Sequence, residues 1–367
     1  MHILVGIPEQ GSQGGPAACE PPFIAELRRL GHDVEEQVYA YAQTRSSPLR
    51  RITRVRKTAQ QLRERLLSAK FDVVHINTSF DTKALLRDVV VVSCLPATGP
   101  KIFLKFHGSD ARLLQTSNTL MRSLGRYLLA RADGIGVLSS EERDNFLGAG
   151  VPEHKVFVVK NVVETKAPGR DCHFRAKLNL PEQAPLLLFI GRFIEAKGLG
   201  DVIHGCKLLR DRNQDFMLLC LGDGPARASA EAEVNRLALS SHVRFCGYVA
   251  EEEAAQFYAN STMVVFPTYH YEGFPMVIFN AAAAGLPIIT TRIRAAADYL
   301  SEPENCLWVE PKHPGALAET ITRLLESEKL RAGMRANNIK LVDRFAAGRV
   351  TEEYVAAYKE ILSNANC

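Results

Sequence analysis

The sequence predicts an α/β protein made of two doubly wound domains in tandem. The chain has 367 residues, too many for one ordinary domain, and 46% of them are hydrophobic, so each half can bury a core. Short apolar runs alternate with helix-compatible stretches from end to end, which is typical of βαβ units in a parallel sheet. A polar stretch containing Pro and Gly interrupts this alternation near the middle of the chain.

Twelve short apolar runs are the predicted strands, six in each half. The runs of the first half are residues 2–7, 33–40, 72–77, 101–106, 133–139 and 155–161. Those of the second half are 186–191, 216–222, 243–247, 263–268, 286–291 and 306–310. Helices cover both faces of a parallel sheet, so its strands read as nearly continuous apolar runs.

These patterns also predict the domain boundaries. We expect an N-terminal Rossmann-like domain over residues 1–164, a linker over 165–185, and a C-terminal Rossmann-like domain over 186–345. Residues 346–367 space their apolar side chains at helical intervals. We expect this segment to form a helix that packs back on the N-terminal domain.

Charge and cysteine usage limit the possible partners and compartments. The net charge of +4 is mild for this length and does not favour a nucleic-acid partner. The eight cysteines are scattered singly, as expected in a reducing cytoplasm. The chain opens directly on a predicted strand, without the features of a signal peptide. No apolar run approaches the roughly 20 residues that span a bilayer, so we expect any membrane association to be peripheral.

A stretch near residue 275 combines a carboxylate with an anion-binding helix end. Glu272 lies on a Gly-containing turn that leads into Pro275 and a helix-forming run ending at Gly285. The amides and the positive dipole end of a helix N-terminus attract anions. A carboxylate beside an anion site suits a polyhydroxylated, phosphorylated ligand, and a nucleotide sugar has both features.

Two cations follow the first predicted strand of the second half. Arg192 and Lys197 are five residues apart around a turn, so they can converge on one diphosphate. A solvated basic loop is the alternative interpretation. The presence of Glu272 further along the same domain favours the diphosphate interpretation.

Together these motifs resemble the retaining glycosyltransferases of family four. The matching motifs are Gly191-Arg192, Lys197-Gly198, Gly222-Asp223-Gly224-Pro225 and Glu272-Gly273-Phe274-Pro275. The resemblance covers essentially the whole chain and is strongest over residues 186–291. It implies the GT-B architecture, in which two Rossmann-like domains face each other across a deep cleft.

The resemblance implies a role for each motif. Arg192 and Lys197 would stabilise the leaving nucleoside diphosphate, Glu272 would contact the donor sugar, and His107, in a His-Gly-x-Asp turn after a strand, would lie near the transferred sugar. These four residues are the predicted catalytic residues. The predicted donor-binding residues are Gly14, Gly15, Gly191, Arg192, Lys197, Tyr248, Val249, Gly273, Phe274, Pro275, Met276 and Asn280. We expect no cofactor and no metal, since the chain has no D-x-D motif.

Three positions depart from the family pattern. Asn280 stands where the family usually has a second Glu that binds the ribose, which predicts a weaker hold on the nucleotide because charge-assisted bonds are lost. Lys160-Asn161-Val162 replaces the common Pro-Asn-Gly, which puts in doubt the usual entry to the second domain. Arg294-Ala295 replaces a common Gly-Gly, with consequences for the acceptor side or for the loop.

Three further features have two interpretations each. The glycine-rich loop 10–16 can approach a phosphate or an acceptor, or can be a tight turn. Asp110 can orient an acceptor hydroxyl or cap the next helix. The basic segment Arg45 to Lys70 suits an anionic membrane surface, or forms a solvated helix with one core face.

These residues predict a retaining, metal-independent glycosyltransferase. It would move a sugar, expected to be a hexose, from a nucleoside diphosphate sugar to a hydroxyl of a glycan or lipid-linked acceptor, as in polysaccharide biosynthesis. The expected location is the cytoplasm, with possible contact to the inner face of the cytoplasmic membrane. Two alternatives stay open: a sugar-nucleotide epimerase of the same architecture, and a catalytically weak partner subunit, which the Asn280 departure suggests.

Overall fold

The structure is a computed structural model that describes residues 1–9, 15–40, 47–96, 98–166 and 169–364. The chain divides into two compact units. The first unit comprises Met1–Val162, Tyr271–Phe274 and Ala347–Cys367, and the second comprises Val163–His270 and Pro275–Ala346. Two segments from the second half of the chain, the four residues Tyr271–Phe274 and the C-terminal Ala347–Cys367, therefore belong to the first unit.

Strands and helices alternate along the described chain. The strands are β1 His2–Pro8, β2 Asp33–Ala40, β3 Val73–Phe80, β4 Lys101–Ser109, β5 Gly134–Val137, β6 Val156–Val158, β7 Leu186–Ile190, β8 Met217–Leu221, β9 Val243–Gly247, β10 Met263–Phe266, β11 Ile288–Thr290 and β12 Cys306–Trp308. The helices are α1 Gly15–Arg29, α2 Pro48–Ser68, α3 Thr82–Ser93, α4 Ala111–Leu114, α5 Thr119–Arg131, α6 Ser140–Gly148, α7 Phe174–Lys177, α8 Leu199–Asp211, α9 Arg227–Arg236, α10 Glu251–Asn260, α11 Met276–Ala283, α12 Arg294–Tyr299, α13 Pro314–Glu326, α14 Glu328–Val342 and α15 Ala347–Ser363. Short 3₁₀ turns occupy Glu153–Lys155, Glu195–Lys197 and Asp343–Phe345.

Each unit contains one six-stranded sheet whose strands all pair in parallel. The order in the first unit is β2-β1-β3-β4-β5-β6, and the order in the second is β12-β11-β10-β7-β8-β9. All twelve predicted strands are present, so the predicted α/β fold with two doubly wound sheets is confirmed. The second order is that of a Rossmann fold, in which the order of the strands across the sheet reverses between β7 and β10.

Local sequence signals fix the helix ends. Ser47 caps α2 and Pro48 takes its first turn, where the missing amide hydrogen costs nothing. Asp81 caps α3 by accepting from the amides of Lys83 and Ala84, 2.9 and 3.0 Å away. Helix α11 stops at a Gly285 with φ of +66°, a conformation that glycine adopts without strain. These caps explain why the helices begin and end close to the sequence signals.

The core of each unit lies between its sheet and the covering helices. In the first unit the rings of Phe80, Phe106 and Phe146 meet with centroids 5.4 to 5.5 Å apart. Helix α15 contacts α1, β4 and β5 of this unit, and its Tyr354 and Tyr358 are fully buried. In the second unit Phe174 of α7 packs edge-on against Phe257, with centroids 5.0 Å apart.

Candidate functional site

The second sheet brings two predicted residues to the position where ligands bind in open α/β sheets. Ligands bind outside the carboxyl ends of the strands, at the point where the strand order reverses. Arg192 and Lys197 follow β7, on one side of that point, and His270 follows β10, on the other. The amide of Tyr269 donates to the carbonyl of Ala196 at 2.8 Å and ties the two strand exits together.

Lys197 is held in a half-buried position at this strand exit. Its ammonium lies 5.4 Å from the centroid of the Phe266 ring, within cation–π range. Burial, together with the positive charge of Arg192, lowers the pKa of Lys197 to about 7. A negative charge placed beside this ammonium would act in the opposite direction and raise its pKa.

The pKa of His270 reflects the positive charges around it. Burial lowers its pKa, and the charges of Lys197, Arg294 and Arg192 lower the pKa further. Arg294, one of the departures from the family pattern, is 3% exposed and has a φ of +41°, in the left-handed region. A third cation therefore accompanies the two predicted ones at this edge of the second sheet.

Glycines allow the loops after β7 and β8 to pack closely. A Cβ at Gly222 would overlap the carbonyl oxygen of Gly191, and the φ of Gly222 is +131°. The amide of Gly222 donates to the carbonyl of Gly247 at 2.7 Å, just before Tyr248 and Val249. The predicted Gly-Asp-Gly-Pro turn thus supports the neighbouring strand exits, and Tyr248 is 57% exposed beside it.

Helix α11 begins at Met276, directly after Pro275, and Asn280 lies in its second turn. Among the described residues, the N-cap Pro275 makes no side-chain capping hydrogen bond. Asn280 lies near Glu251, at the start of α10, and near Tyr258, and it acts to lower the pKa of both side chains. Burial and the charge of Glu252 raise the pKa of Glu251, while Asn280 opposes the rise. A carboxylate is therefore present beside position 280, although position 280 itself holds an amide.

The turn that carries Glu272 belongs to the first unit and packs on other residues of that unit. An added Cβ at Gly273 would lie 2.9 Å from Glu142 Oε2 and 3.0 Å from the Cβ of Leu138. An added Cβ at Gly108 would lie 3.0 Å from the carbonyl oxygen of Tyr271. The turn that holds Glu272, Gly273 and Phe274 therefore meets the His107-Gly108 end of β4, and both segments belong to the first unit.

His107 lies within β4, two residues before the end of the strand, and its side chain is almost buried, 9% exposed. The predicted strand stops at residue 106, so the structure extends it through the His-Gly motif. Its Nε2 lies 2.9 Å from Asn77 Oδ1 and 3.5 Å from Glu20 Oε1. Burial, with the charge of Lys105 added, lowers the pKa of His107 to about 3, although Glu20 acts in the opposite direction. His107 is thus a neutral imidazole at physiological pH, and it acts through hydrogen bonds rather than through charge.

Three other predictions have mixed outcomes. Asp110 caps α4 by accepting from the amide of Arg112 at 3.1 Å, which is one of its two interpretations, and it also pairs with the Arg112 guanidinium at 2.7 Å. Gly14 lies outside the described residues, together with most of the glycine-rich loop. Gly15 begins α1.

Within the described ranges, one cluster has the ligand types of a metal site. Cys19, Glu20 and His107 have ligand atoms within 4.8 Å of one another. The ammonium of Lys105, however, lies 2.7 Å from Glu20 Oε1, and burial raises the pKa of the Cys19 thiol. This cluster suits an internal ion pair better than a divalent cation.

Comparison with known proteins agrees with the geometry. Residues 172–341 match the family of glycosyl transferases group 1, and residues 17–167 match glycosyltransferase family 4. The chain belongs to the family-four-like glycosyltransferases. Its fold is that of the GT-B glycosyltransferases.

Individual relatives of this chain are distant, and it matches about half to two thirds of the length of the first curated relatives. A 2-deoxystreptamine glucosyltransferase from Streptomyces kanamyceticus is 27% identical over 66% of this chain, but the match covers only 64% of that relative's length. Sucrose-phosphate synthase from Thermosynechococcus elongatus has a TM-score of 0.79 with 19% identity, covering 99% of this chain and all of that one. The Anabaena protein HepE with UDP-glucose has a TM-score of 0.75 with 18% identity, covering 100% of this chain and 99% of that one.

Sequence reasoning missed several residues around these sites. Glu20 stands alone in a run that is otherwise apolar, and Asn77 is a polar residue within a buried strand. A polar side chain inside an apolar run was the available signal for both residues. Glu251 is one of three consecutive acids at the start of a helix, and the helix dipole alone explains acids at that position, so no separate sequence signal marked it.

Among the described helices, none has the length and apolarity needed to cross a membrane.

Acid should destabilise the first unit because of its buried imidazoles. Burial lowers the pKa of His75 to about 4 and that of His107 to about 3. Both values lie below those of the unfolded chain, so the stabilisation is complete above about pH 6.5 and is lost as pH falls. We expect a loss of roughly 1.4 kcal/mol per pH unit and per imidazole between pH 6.5 and 4. Urea unfolding at several pH values measures it.

A matched variant separates this effect from general acid unfolding. His107→Gln should flatten the pH dependence by about one imidazole, whereas His154→Gln, on the 3₁₀ turn after α6, should not change it. An unchanged slope in His107→Gln would show that His107 is protonated in the folded protein.

Proposed function

We propose that this protein is a retaining, metal-independent glycosyltransferase that moves a hexose from a nucleoside diphosphate sugar to a hydroxyl acceptor. The observation that carries the proposal is the pair Arg192 and Lys197 at the switch point of the second sheet. Open α/β sheets bind nucleotides at this point. We assign donor binding to the second unit and acceptor binding to the first.

The diphosphate charge is met by protein cations in this proposal. Arg192 offers a guanidinium fork and Lys197 an ammonium, and the amide end of α11 begins at Met276. Negative charge grows on the diphosphate as the glycosidic bond breaks, and fixed cations stabilise that charge without reorganisation. Gly191, Pro275 and Met276 would shape the backbone around the phosphates.

Glu272 and His107 handle the transferred sugar in this proposal. Sugar hydroxyls can donate to the Glu272 carboxylate and to a neutral imidazole nitrogen. Support comes from the contact between the two turns that carry these residues. Backbone groups near Tyr248 and Val249 would contact the base, and Asn280 would contact the ribose.

Asn280 and Glu251 give a test of the ribose assignment. Asn280→Glu alone would place two carboxylates near each other, because Asn280 lies near Glu251 and acts on its pKa. We therefore expect no gain in nucleotide affinity from the single change. In Glu251→Gln/Asn280→Glu the new carboxylate is unopposed, and we expect about tenfold tighter binding, ~1.4 kcal/mol, by calorimetry. Glu251→Gln alone is the control, and equal tightening in Asn280→Glu and the double variant would contradict the assignment.

An anionic membrane surface is the proposed site at which a lipid-linked acceptor is met. Helix α2 buries Leu62 and Leu66 in the core, as its solvated-helix interpretation requires. Near its start, however, Leu49 is 76% exposed and Ile52 52% exposed, among arginines such as Arg50. Exposed apolar side chains among cations suit a headgroup layer.

Vesicle sedimentation tests this surface. The protein should bind vesicles that contain phosphatidylserine and should bind neutral vesicles weakly. Arg50→Glu/Arg56→Glu should abolish binding, while Lys329→Glu/Lys340→Glu, two exposed charges on α14, should keep it. Equal binding by both variants would remove α2 from the proposal.

A nucleotide and donor panel tests the proposed function. We expect one of UDP, GDP and ADP to raise the melting temperature strongly, and the matching sugar nucleotide to release that nucleotide only when an acceptor is added. Conversion of the donor to an epimer without acceptor would support an epimerase instead. Binding without any transfer to a broad acceptor set would support a partner subunit.

A further inference from the structure

A buried polar cluster lies behind His107 in the first unit. It brings together residues from four elements, which we call the His107 cluster: Glu20 of α1, His75 and Asn77 of β3, Lys105 of β4, and Tyr358 of α15. Buried polar groups are expensive unless each finds a partner. No buried polar side-chain atom of this cluster lacks a partner among the described residues, and the cluster contacts the His107 ring through Asn77. Gly108, the residue after His107, lies against the backbone of Tyr271, next to Glu272.

The amide of Asn77 can point in only one direction. One amide atom lies 3.0 Å from the carbonyl oxygen of Gly6 and 2.9 Å from Glu20 Oε2. Both partners are acceptors, so this atom must be the donating nitrogen Nδ2. The carbonyl oxygen Oδ1 therefore faces the His107 ring, 2.9 Å from Nε2.

An acceptor at this position fixes the proton on the imidazole. Asn77 Oδ1 can only accept, so His107 Nε2 must carry the hydrogen and donate it. His75 obeys the same rule: its Nδ1 accepts from the Tyr358 hydroxyl, and its Nε2 lies 3.3 Å from Asn77 Oδ1. No described residue hydrogen-bonds His107 Nδ1.

The ion pair of Glu20 and Lys105 anchors the arrangement. Lys105 Nζ lies 2.7 Å from Glu20 Oε1, and both side chains are 3% exposed or less. Burial raises the pKa of Glu20, but Lys105 and the nearby imidazoles lower it to about 2 overall. The carboxylate therefore stays charged, keeps its bond from Asn77, and prevents that amide from turning over. Cys19, Tyr354 and Tyr358 are the other titratable groups around the cluster.

We propose that Asn77, held by the Glu20–Lys105 pair, is a positioning residue that keeps His107 protonated at Nε2 and presents Nδ1 as a hydrogen-bond acceptor to a substrate hydroxyl. This rests on the proposed function, since the hydroxyl belongs to the donor sugar or to the acceptor. An imidazole with the other tautomer would offer a donor there and would select a different group. The His107 cluster thus determines whether His107 Nδ1 accepts or donates a hydrogen bond.

Nitrogen-15 NMR of histidine-labelled protein tests the tautomer directly and needs no substrate. The His107 resonances, assigned by their loss in His107→Gln, should show a protonated Nε2 and an unprotonated Nδ1 with no titration between about pH 5 and 8. A proton on Nδ1, or titration in this range, would overturn the proposal. With this assignment the wild-type spectrum decides the point even if the variants of Asn77, Glu20 and Lys105 fail to fold.

Three variants test the positioning role. Asn77→Asp places a carboxylate against Nε2 and should raise the pKa of His107, so turnover of UDP-glucose should fall at low pH and recover at high pH. His107→Asn keeps an acceptor near the Nδ1 position and should retain more turnover than His107→Gln, whose amide replaces Nε2. Equal losses in the last two, or no new pH dependence in Asn77→Asp, would contradict the role of Nδ1. If UDP-glucose is not turned over, the sugar nucleotide selected by the donor panel replaces it; absence of turnover with every donor of that panel would count against the proposed function, while the NMR result would still decide the tautomer.

Discussion

Lys197→Ala should lower turnover by about 10²- to 10³-fold, the usual cost of removing one fixed group that stabilises developing negative charge. Lys197 is held beside Arg192 at the exit of β7, and burial and that arginine lower its pKa to about 7. The Lys197 ammonium would stabilise the transition state more than the bound donor, because the leaving diphosphate is most negative in the transition state. Initial rates of nucleoside diphosphate release, measured near pH 7, give the effect.

Two variants control this prediction. Lys340→Ala removes an exposed ammonium of the same unit and should leave the rate unchanged. Lys197→Arg keeps a charge that cannot be titrated in the working range, so it should retain binding while losing part of the rate. Near-normal turnover in Lys197→Ala would mean that the diphosphate lies elsewhere.

Breaking the buried ion pair should destabilise the protein by about 3–5 kcal/mol, because one charge is then left without its partner. Glu20→Gln leaves the Lys105 ammonium, and Lys105→Met leaves the Glu20 carboxylate, each in a position 3% exposed or less. Lys105 also lies 5.3 Å from the Tyr354 ring centroid, a contact that its loss removes. Urea unfolding measures both variants.

The double variant distinguishes a pair effect from loss of packing. Glu20→Gln/Lys105→Met removes both charges and should be less destabilised than the sum of the single changes. Lys101→Met, at the start of the same strand, breaks a partly exposed pair with Asp133 at 2.9 Å and should cost below about 1 kcal/mol. Additive losses in the double variant would show that the two charges do not interact.

The sheets could be predicted from the sequence because their signal is local. Each parallel strand is covered on both faces and so reads as an apolar run, which is why all twelve strands were found. The same apolar runs also predicted that Arg192 and His107 lie near the carboxyl ends of strands. Polar residues at these ends meet at one edge of a parallel sheet.

The polar cluster behind His107 could not be predicted because its contacts are distant in sequence. Glu20 and Lys105 are separated by 85 residues, and His75 and Tyr358 by 283. The place of Glu272 was hidden for a related reason. Residues 271–274 follow a strand of the second unit but pack on Leu138 and Glu142 of the first, and no local pattern encodes that choice.

Proton uptake on nucleotide binding tests the donor site most directly. Titrations of UDP, GDP and ADP at about pH 8, in two buffers of different ionisation enthalpy, measure the number of protons taken up. Lys197 is mostly neutral there before binding, because its pKa is about 7. A bound diphosphate raises that pKa, so we predict uptake approaching about one proton in the wild type and none in Lys197→Arg. Failure of all three nucleotides to bind, or binding with no proton uptake in the wild type, would contradict the assignment of this site.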